Sequence, residues 1–151
     1  MTIMRAAGLA AVAAALAAVT VLGLCGAAAA EPIGTWLTEG GKSRVKIVNC
    51  GGALCGTIVW LREPNDPETG KPKTDKNNAD AGQRSRPVIG VPIVISMKPS
   101  GDNKWSGQVY NAEDGKTYSG DLTEQGPNSV RLRGCALGGL ICKGLDWKRV
   151  N

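Results

Sequence analysis

At 151 residues with a formal charge of +5, 21 glycines, no histidine and no phenylalanine, the chain has room for one modest domain and little aromatic bulk to fill it. The absence of histidine excludes Ser-His and Cys-His nucleophile pairs and the usual zinc ligand sets. Lysines and arginines are scattered and no aromatic-basic repeat stacks bases, so nucleic acid is excluded as a partner.

Residues 1–30 carry one charge, Arg5, then an apolar run from Ala6 to Leu24 and small residues at Ala28, Ala29 and Ala30. A positive start, an apolar middle and an Ala-x-Ala end describe a secretory signal peptide cleaved after Ala30. A retained anchor is the rival reading of so long a run. Lipid attachment at Cys25 is disfavoured because Leu24 occupies the place where such signals want a small residue. The expected product is a periplasmic or secreted domain, residues 31–151, with no stable membrane span after cleavage.

Beyond Pro32 the pattern changes to short alternating runs punctuated by Gly, Asn, Asp and Pro, the signature of strands and hairpin turns. The expected strands, in order, are 35–38, 43–49, 56–61, 91–98, 104–111, 116–123, 129–135 and 141–150. Val45 and Ile47 share one face of the second, and Ile58 and Trp60 one face of the third. Val91, Ile93, Ile95 and Met97 do so on the fourth, where Pro92 marks an edge or a start. Between the third and fourth runs lies a long polar stretch, 62–87, with almost nothing to bury; a loop of that length is functional or disordered. Glu113-Asp114-Gly115 is a tight-hairpin signal.

Eight antiparallel segments joined by hairpins lose their exposed edges most simply by closing into an up-and-down β-barrel, with an open two-sheet sandwich as the alternative. Such a barrel packs side chains inside or holds one small ligand. Interior candidates are Ile58, Trp60, Ile93, Ile95, Tyr110, Tyr118, Leu132 and Trp147. The cysteines after residue 30 number four, and an even count in an exported domain reads as two structural disulfides. In a meander, successive turns alternate between barrel ends, so the Cys50/Cys55 turn and the Cys135/Cys142 turn lie at opposite ends. Cross-pairing would exceed the roughly 5.5–6 Å Cα separation of a disulfide, leaving Cys50–Cys55 and Cys135–Cys142. The same parity places the long loop beside the turns at Gly40 and Asp114 and the Cys135–Cys142 hairpin, as a lid over the mouth.

Gly34-Thr35-Trp36, Gly56-Thr57-Ile58-Val59-Trp60-Leu61 and Asp66-Pro67-Glu68-Thr69-Gly70-Lys71-Pro72 resemble a family of exported bacterial proteins, the domain of unknown function 2147. So do Asp75-Lys76-Asn77-Asn78, Arg86-Pro87-Val88-Ile89-Gly90, Asn103-Lys104-Trp105, Glu113-Asp114-Gly115-Lys116-Thr117-Tyr118 and Trp147-Lys148-Arg149. This resemblance covers nearly the whole of 31–151 and implies a lipocalin-like barrel without implying an activity. It further implies that Trp36 closes one end beneath a basic side chain of the last strand, Arg149, with Lys148 as the fallback; a cation over an aromatic face makes that a structural pair.

No catalytic residue is assigned, because the remaining carboxylates, including Asp75, Asp80, Asp114 and Asp146, have no spacing that makes them converge. No calcium loop is recognisable and no metal or cofactor is implied. In the lid, Arg84 or Arg86 can hold an anionic head group at the mouth, with Asp75 and Asn78 beside them. Alternatively Asp75 and Asn78 cap loop turns and Arg86 pairs with Asp75. Tyr110 and Tyr118 flank the Asp114 turn and offer hydroxyls there. The expected function is non-enzymatic binding of a small, apolar or amphipathic ligand at the lid end. Two alternatives stand beside it: an envelope or protein-interaction module with a filled barrel, and a weak carboxylate-based hydrolase.

Overall fold

In a computed structural model describing residues 31–151, the alternating segments become eight antiparallel strands. They are β1 (Gly34–Leu37), β2 (Ser43–Asn49), β3 (Leu54–Leu61), β4 (Pro92–Gly101), β5 (Lys104–Asn111), β6 (Lys116–Gly126), β7 (Ser129–Ala136) and β8 (Ile141–Arg149). The signal peptide expected at 1–30 lies outside the described residues. Each strand pairs with its chain neighbours, and β1 meets β8 with Trp36 opposite Arg149 and Leu37 opposite Lys148, which closes the barrel. Closure removes the open edges that a sheet of this kind otherwise presents for aggregation. Both disulfides are local, Cys50–Cys55 in the β2–β3 turn and Cys135–Cys142 in the β7–β8 turn.

One half of the barrel is packed solid. Trp36, Val45, Ile47, Leu54, Met97, Leu122 and Val130 are all but fully buried there, each stabilising the fold by about 1.5–3 kcal/mol relative to an exposed side chain. The Arg149 guanidinium lies 4.2 Å from the centroid of the Trp36 ring, which donates its indole N–H to the Pro32 carbonyl at 2.9 Å. Arg149 also donates to the carbonyls of Ile33 and Pro127, at 2.7 and 2.6 Å. One cation thereby ties the N-terminal segment and the β6–β7 turn across this closed end.

β-Bulges break the alternation and move side chains away from where a strict period of two puts them. Arg44 faces Trp60 while Val45 faces Ile58, leaving Val59 as the extra residue on β3. Trp60 therefore turns outward, 37% exposed, with the Arg44 guanidinium 4.7 Å from its ring, which corrects the expectation that it shares the interior with Ile58. On β4, Gly56 faces Val94 and Thr57 faces Pro92, so Ile93 and Val94 are both buried in succession. A second irregularity between Ile95 and Lys98, with Ser96 at φ 45°, returns Met97 to the core. Ile95, opposite the exposed Gln108, is left half-buried rather than on the face of Ile93 and Met97. The bulged β4 backbone crosses close over β5: a Cβ at Gly107 would sit 2.7 Å from the Ile95 carbonyl oxygen.

Candidate functional site: an open cavity beneath a bonded loop

Above the packed layer the barrel opens into a cavity of about 1310 Å³, mouth included. The buried side chains of Ile58, Ile93, Leu132 and Trp147 form its floor, and Leu61, Val88, Val109 and Leu145 line its walls. The Trp147 indole N–H is buried with no protein acceptor among the described residues. Charged residues ring the mouth, and several neutralise one another: Lys42 with Glu113 at 3.7 Å, Lys73 with Glu63 at 3.9 Å and Lys76 with Asp66 at 3.7 Å. As exposed pairs they are worth at most about 1 kcal/mol each.

One cation at the mouth differs from these. The β7–β8 register runs without a bulge, with Val130 opposite Trp147, Leu132 opposite Leu145 and Gly134 opposite Lys143. Trp147, Leu145 and Lys143 therefore form a ladder on the inner face of β8, rising from floor to wall to mouth. Lys143 has no carboxylate within ion-pair distance among the described residues. It was missed as a candidate in the sequence, although its signal was present: a lysine two and four residues before Leu145 and Trp147 shares their face of any regular strand.

The connection from Leu61 to Pro92 is folded rather than slack. Isolated bridges pair Asn65 with Pro72 and Thr74 with Pro87, stacking two small hairpins over the barrel end. Asn77 donates to the Glu113 carbonyl at 2.8 Å, tying the loop to the β5–β6 turn. The approach is so close that a Cβ at Gly115, whose φ is +72°, would fall 1.6 Å from the Asn77 carbonyl oxygen.

At the centre of the loop sits Asp75, fully buried. Its Oδ1 accepts the Tyr110 hydroxyl at 2.7 Å, and its Oδ2 accepts the Asn78 amide at 2.8 Å and the Arg86 Nε at 2.9 Å. The Arg86 Nη2 lies 2.8 Å from the same Oδ2, making the pair bidentate from the arginine side. Burial pushes the Asp75 carboxyl up, but the hydrogen bonds from Asn78, Tyr110 and Arg86 and the arginine charge outweigh it and hold the group below the usual carboxylate range. Burial, and after it the bond to Asp75, raises the Tyr110 hydroxyl above its ordinary value, so it remains a donor.

Of the residues singled out in the sequence, the fold thus brings Asp75, Asn78, Arg86 and Tyr110 together, with their bonds directed at one another. Arg84 joins the edge of the group by donating to the Asn78 carbonyl at 2.8 Å. Tyr118 stands apart. The β5–β6 register sets Tyr110 opposite Thr117 and Val109 opposite Tyr118, so the two tyrosines lie on opposite faces of the sheet. Tyr118 shares the cavity face with Val109 and donates its hydroxyl to Asp114. Burial raises the Asp114 carboxyl, but that hydroxyl and the Lys116 backbone N–H prevail and lower it. On the face carrying Tyr110, a shallower outer groove of about 950 Å³ runs between the loop and the hairpin tips at Gly115 and Leu137.

A family model described as an uncharacterised protein conserved in bacteria, DUF2147, matches residues 34–149 of this chain. No curated protein matches it. Among solved structures the chain is similar to protein HP1028 from the human pathogen Helicobacter pylori, described as belonging to the lipocalin family. The two are 23% identical and superpose with a TM-score of 0.66 over 79% of this chain and 82% of the other, a likeness of fold.

Proposed function

We propose that this chain, which belongs to the bacterial DUF2147 family, is exported to the periplasm and there holds a small amphipathic molecule with an anionic head, without acting on it chemically. The observation that carries the reading is the inner face of β8, where Trp147, Leu145 and an unpaired Lys143 climb from an apolar floor to the cavity mouth. An apolar tail in the cavity removes water from the floor and walls, at about 25 cal/mol per Å² buried. The head group then meets the lysine in partly excluded solvent, where a charge-assisted bond counts for more than on an open surface. The buried Trp147 N–H is a further donor available to a ligand oxygen. Asp75, Asn78, Arg86 and Tyr110 serve the ligand indirectly, by fixing the loop that shapes the mouth. Tyr118 lines the cavity within reach of a head group, whereas Arg84, bonded to the Asn78 carbonyl, joins the residues that hold the loop. The two disulfides agree with an oxidising compartment.

Native mass spectrometry of protein purified from its own periplasm tests this directly, and retained ligand appears as a discrete added mass. In parallel, a dansyl-labelled fatty acid should bind at one site per barrel. Leu145→Trp, which fills the cavity, should abolish that binding, and Lys143→Glu should weaken it about tenfold, the equivalent of about 1.4 kcal/mol. Repeated preparations without added mass, together with no probe binding, would overturn the reading.

A further inference from the structure

The β7–β8 hairpin ends in an apolar tip with no role in the barrel. Nine consecutive residues, Gly134 to Cys142, carry neither a charge nor a polar side chain other than the paired cysteines. Within them Leu137 is 69% exposed, Leu140 85% and Ile141 61%. Scattered exposed leucines need no explanation, but three large aliphatic side chains on one short turn form a patch. Leu137 is also held at φ 53°, a left-handed conformation that a glycine adopts at lower cost. Its side chain thus costs conformational energy while gaining no burial in the barrel. The Cys135–Cys142 disulfide joins facing residues at the base of the turn and presents the tip as a fixed projection.

We infer that this tip docks the protein on an anionic lipid bilayer. The projection is convex and uncharged, which suits insertion among acyl chains, whereas a shaped protein partner would ordinarily find a groove or a polar rim. The charge around it is complementary to such a surface. Lys143 follows the tip directly, and Lys116 lies across the outer groove from Leu137. Neither has a carboxylate within ion-pair distance among the described residues, and of the two Lys143 is the freer, since Asp114 accepts the Lys116 backbone N–H and partly offsets the Lys116 charge. Each lysine near an anionic leaflet is attracted to it over about a Debye length. Ala136 and Ile141 also border the cavity mouth, so a docked tip holds that mouth close to the lipid. Docking stands whether or not the cavity is occupied; its use in passing a ligand between membrane and barrel rests on the reading above.

Flotation with vesicles of phosphatidylethanolamine and phosphatidylglycerol, against vesicles of phosphatidylcholine alone, tests the inference on the 31–151 chain, which contains every strand of the closed barrel. The protein should float with the anionic vesicles and lose most of that binding in 0.5 M salt. Leu140→Ser should weaken binding at least tenfold, because it removes the most exposed apolar side chain of the tip from contact with the acyl chains. Leu140 lines neither the cavity nor the groove, so the variant should keep its circular dichroism and bind the dansyl probe as before. Failure of the native protein to float would overturn the docking, as would flotation unaffected by Leu140→Ser. Concentration-dependent dimerisation in the ultracentrifuge that Leu140→Ser abolishes would assign the tip to a second copy and overturn it likewise. Loss of probe binding alone bears on the cavity and leaves the docking intact.

Discussion

Replacing Asp75 by alanine should release the loop from the barrel while leaving the barrel folded. The carboxylate receives four N–H or O–H groups from three side chains, Tyr110, Asn78 and Arg86. Removing it leaves the buried Tyr110 hydroxyl and Asn78 amide without their acceptor, and a partly exposed guanidinium without its counter-charge. Breaking a fully buried pair from one side costs about 3–5 kcal/mol, and this pair, whose arginine reaches water, belongs at the lower end of that range. The range corresponds to a roughly 100- to 4,000-fold larger population of the opened loop, at a factor of ten per 1.4 kcal/mol. Native-state proteolysis reads this population directly, because Lys73, Lys76 and Arg84, none of them followed by proline, place trypsin sites on both sides of Asp75. Asp75→Asn should cost less, about 1.5–3 kcal/mol. Its amide can turn so that its oxygen takes the Asn78 and Arg86 donors while its NH₂ donates to the Tyr110 hydroxyl, losing the charge and keeping the bonds. Acid should mimic the alanine variant only at low pH. The folded-state carboxyl lies below its unfolded value of about 3.9, so its stabilisation is complete above that pH and fades as pH falls through the folded value. Loop cleavage by an acid-tolerant protease should therefore be flat from about pH 5 upward and rise below about pH 4. Tryptic cleavage of Asp75→Ala within tenfold of the parent, at unchanged overall stability, would refute the claim that this carboxylate holds the loop.

Two further substitutions probe how the fold is held at its two ends. Gly115→Ala sets a methyl group against the Asn77 carbonyl and puts a side chain at φ +72°. It should cost about 1–3 kcal/mol in thermal melts and raise cleavage in the loop, since either the loop or the β5–β6 turn must move. Arg149→Met removes the cation over Trp36 and leaves the Ile33 and Pro127 carbonyls without their donor. The expected loss is about 2–4 kcal/mol in urea denaturation, with a changed near-ultraviolet tryptophan signal. Arg149→Lys should recover little of it, because an ammonium cannot span both carbonyls and the ring as the planar guanidinium does.

The segments, their order and their closure were legible in the sequence because they depend on local quantities: alternation at period two, turn residues at short intervals, and the parity of a meander. The same parity fixed the local pairing of Cys50 with Cys55 and Cys135 with Cys142 and identified the end at which the long loop sits. What a strand faces is a different matter. A single bulged residue reverses every side chain beyond it, and whether one is present depends on the partner strand. Trp60 therefore turned outward with Arg44 and Ile95 left the core, while the unbulged β8 kept Lys143 in line with Leu145 and Trp147. Asp75 could be read as a capping residue or a head-group contact until the fold brought Tyr110, 35 positions away in sequence, to its second oxygen. Local chemistry determined that a barrel forms and where its ends lie. Only the register between distant strands decided which side chains line the cavity and which are consumed in holding it open.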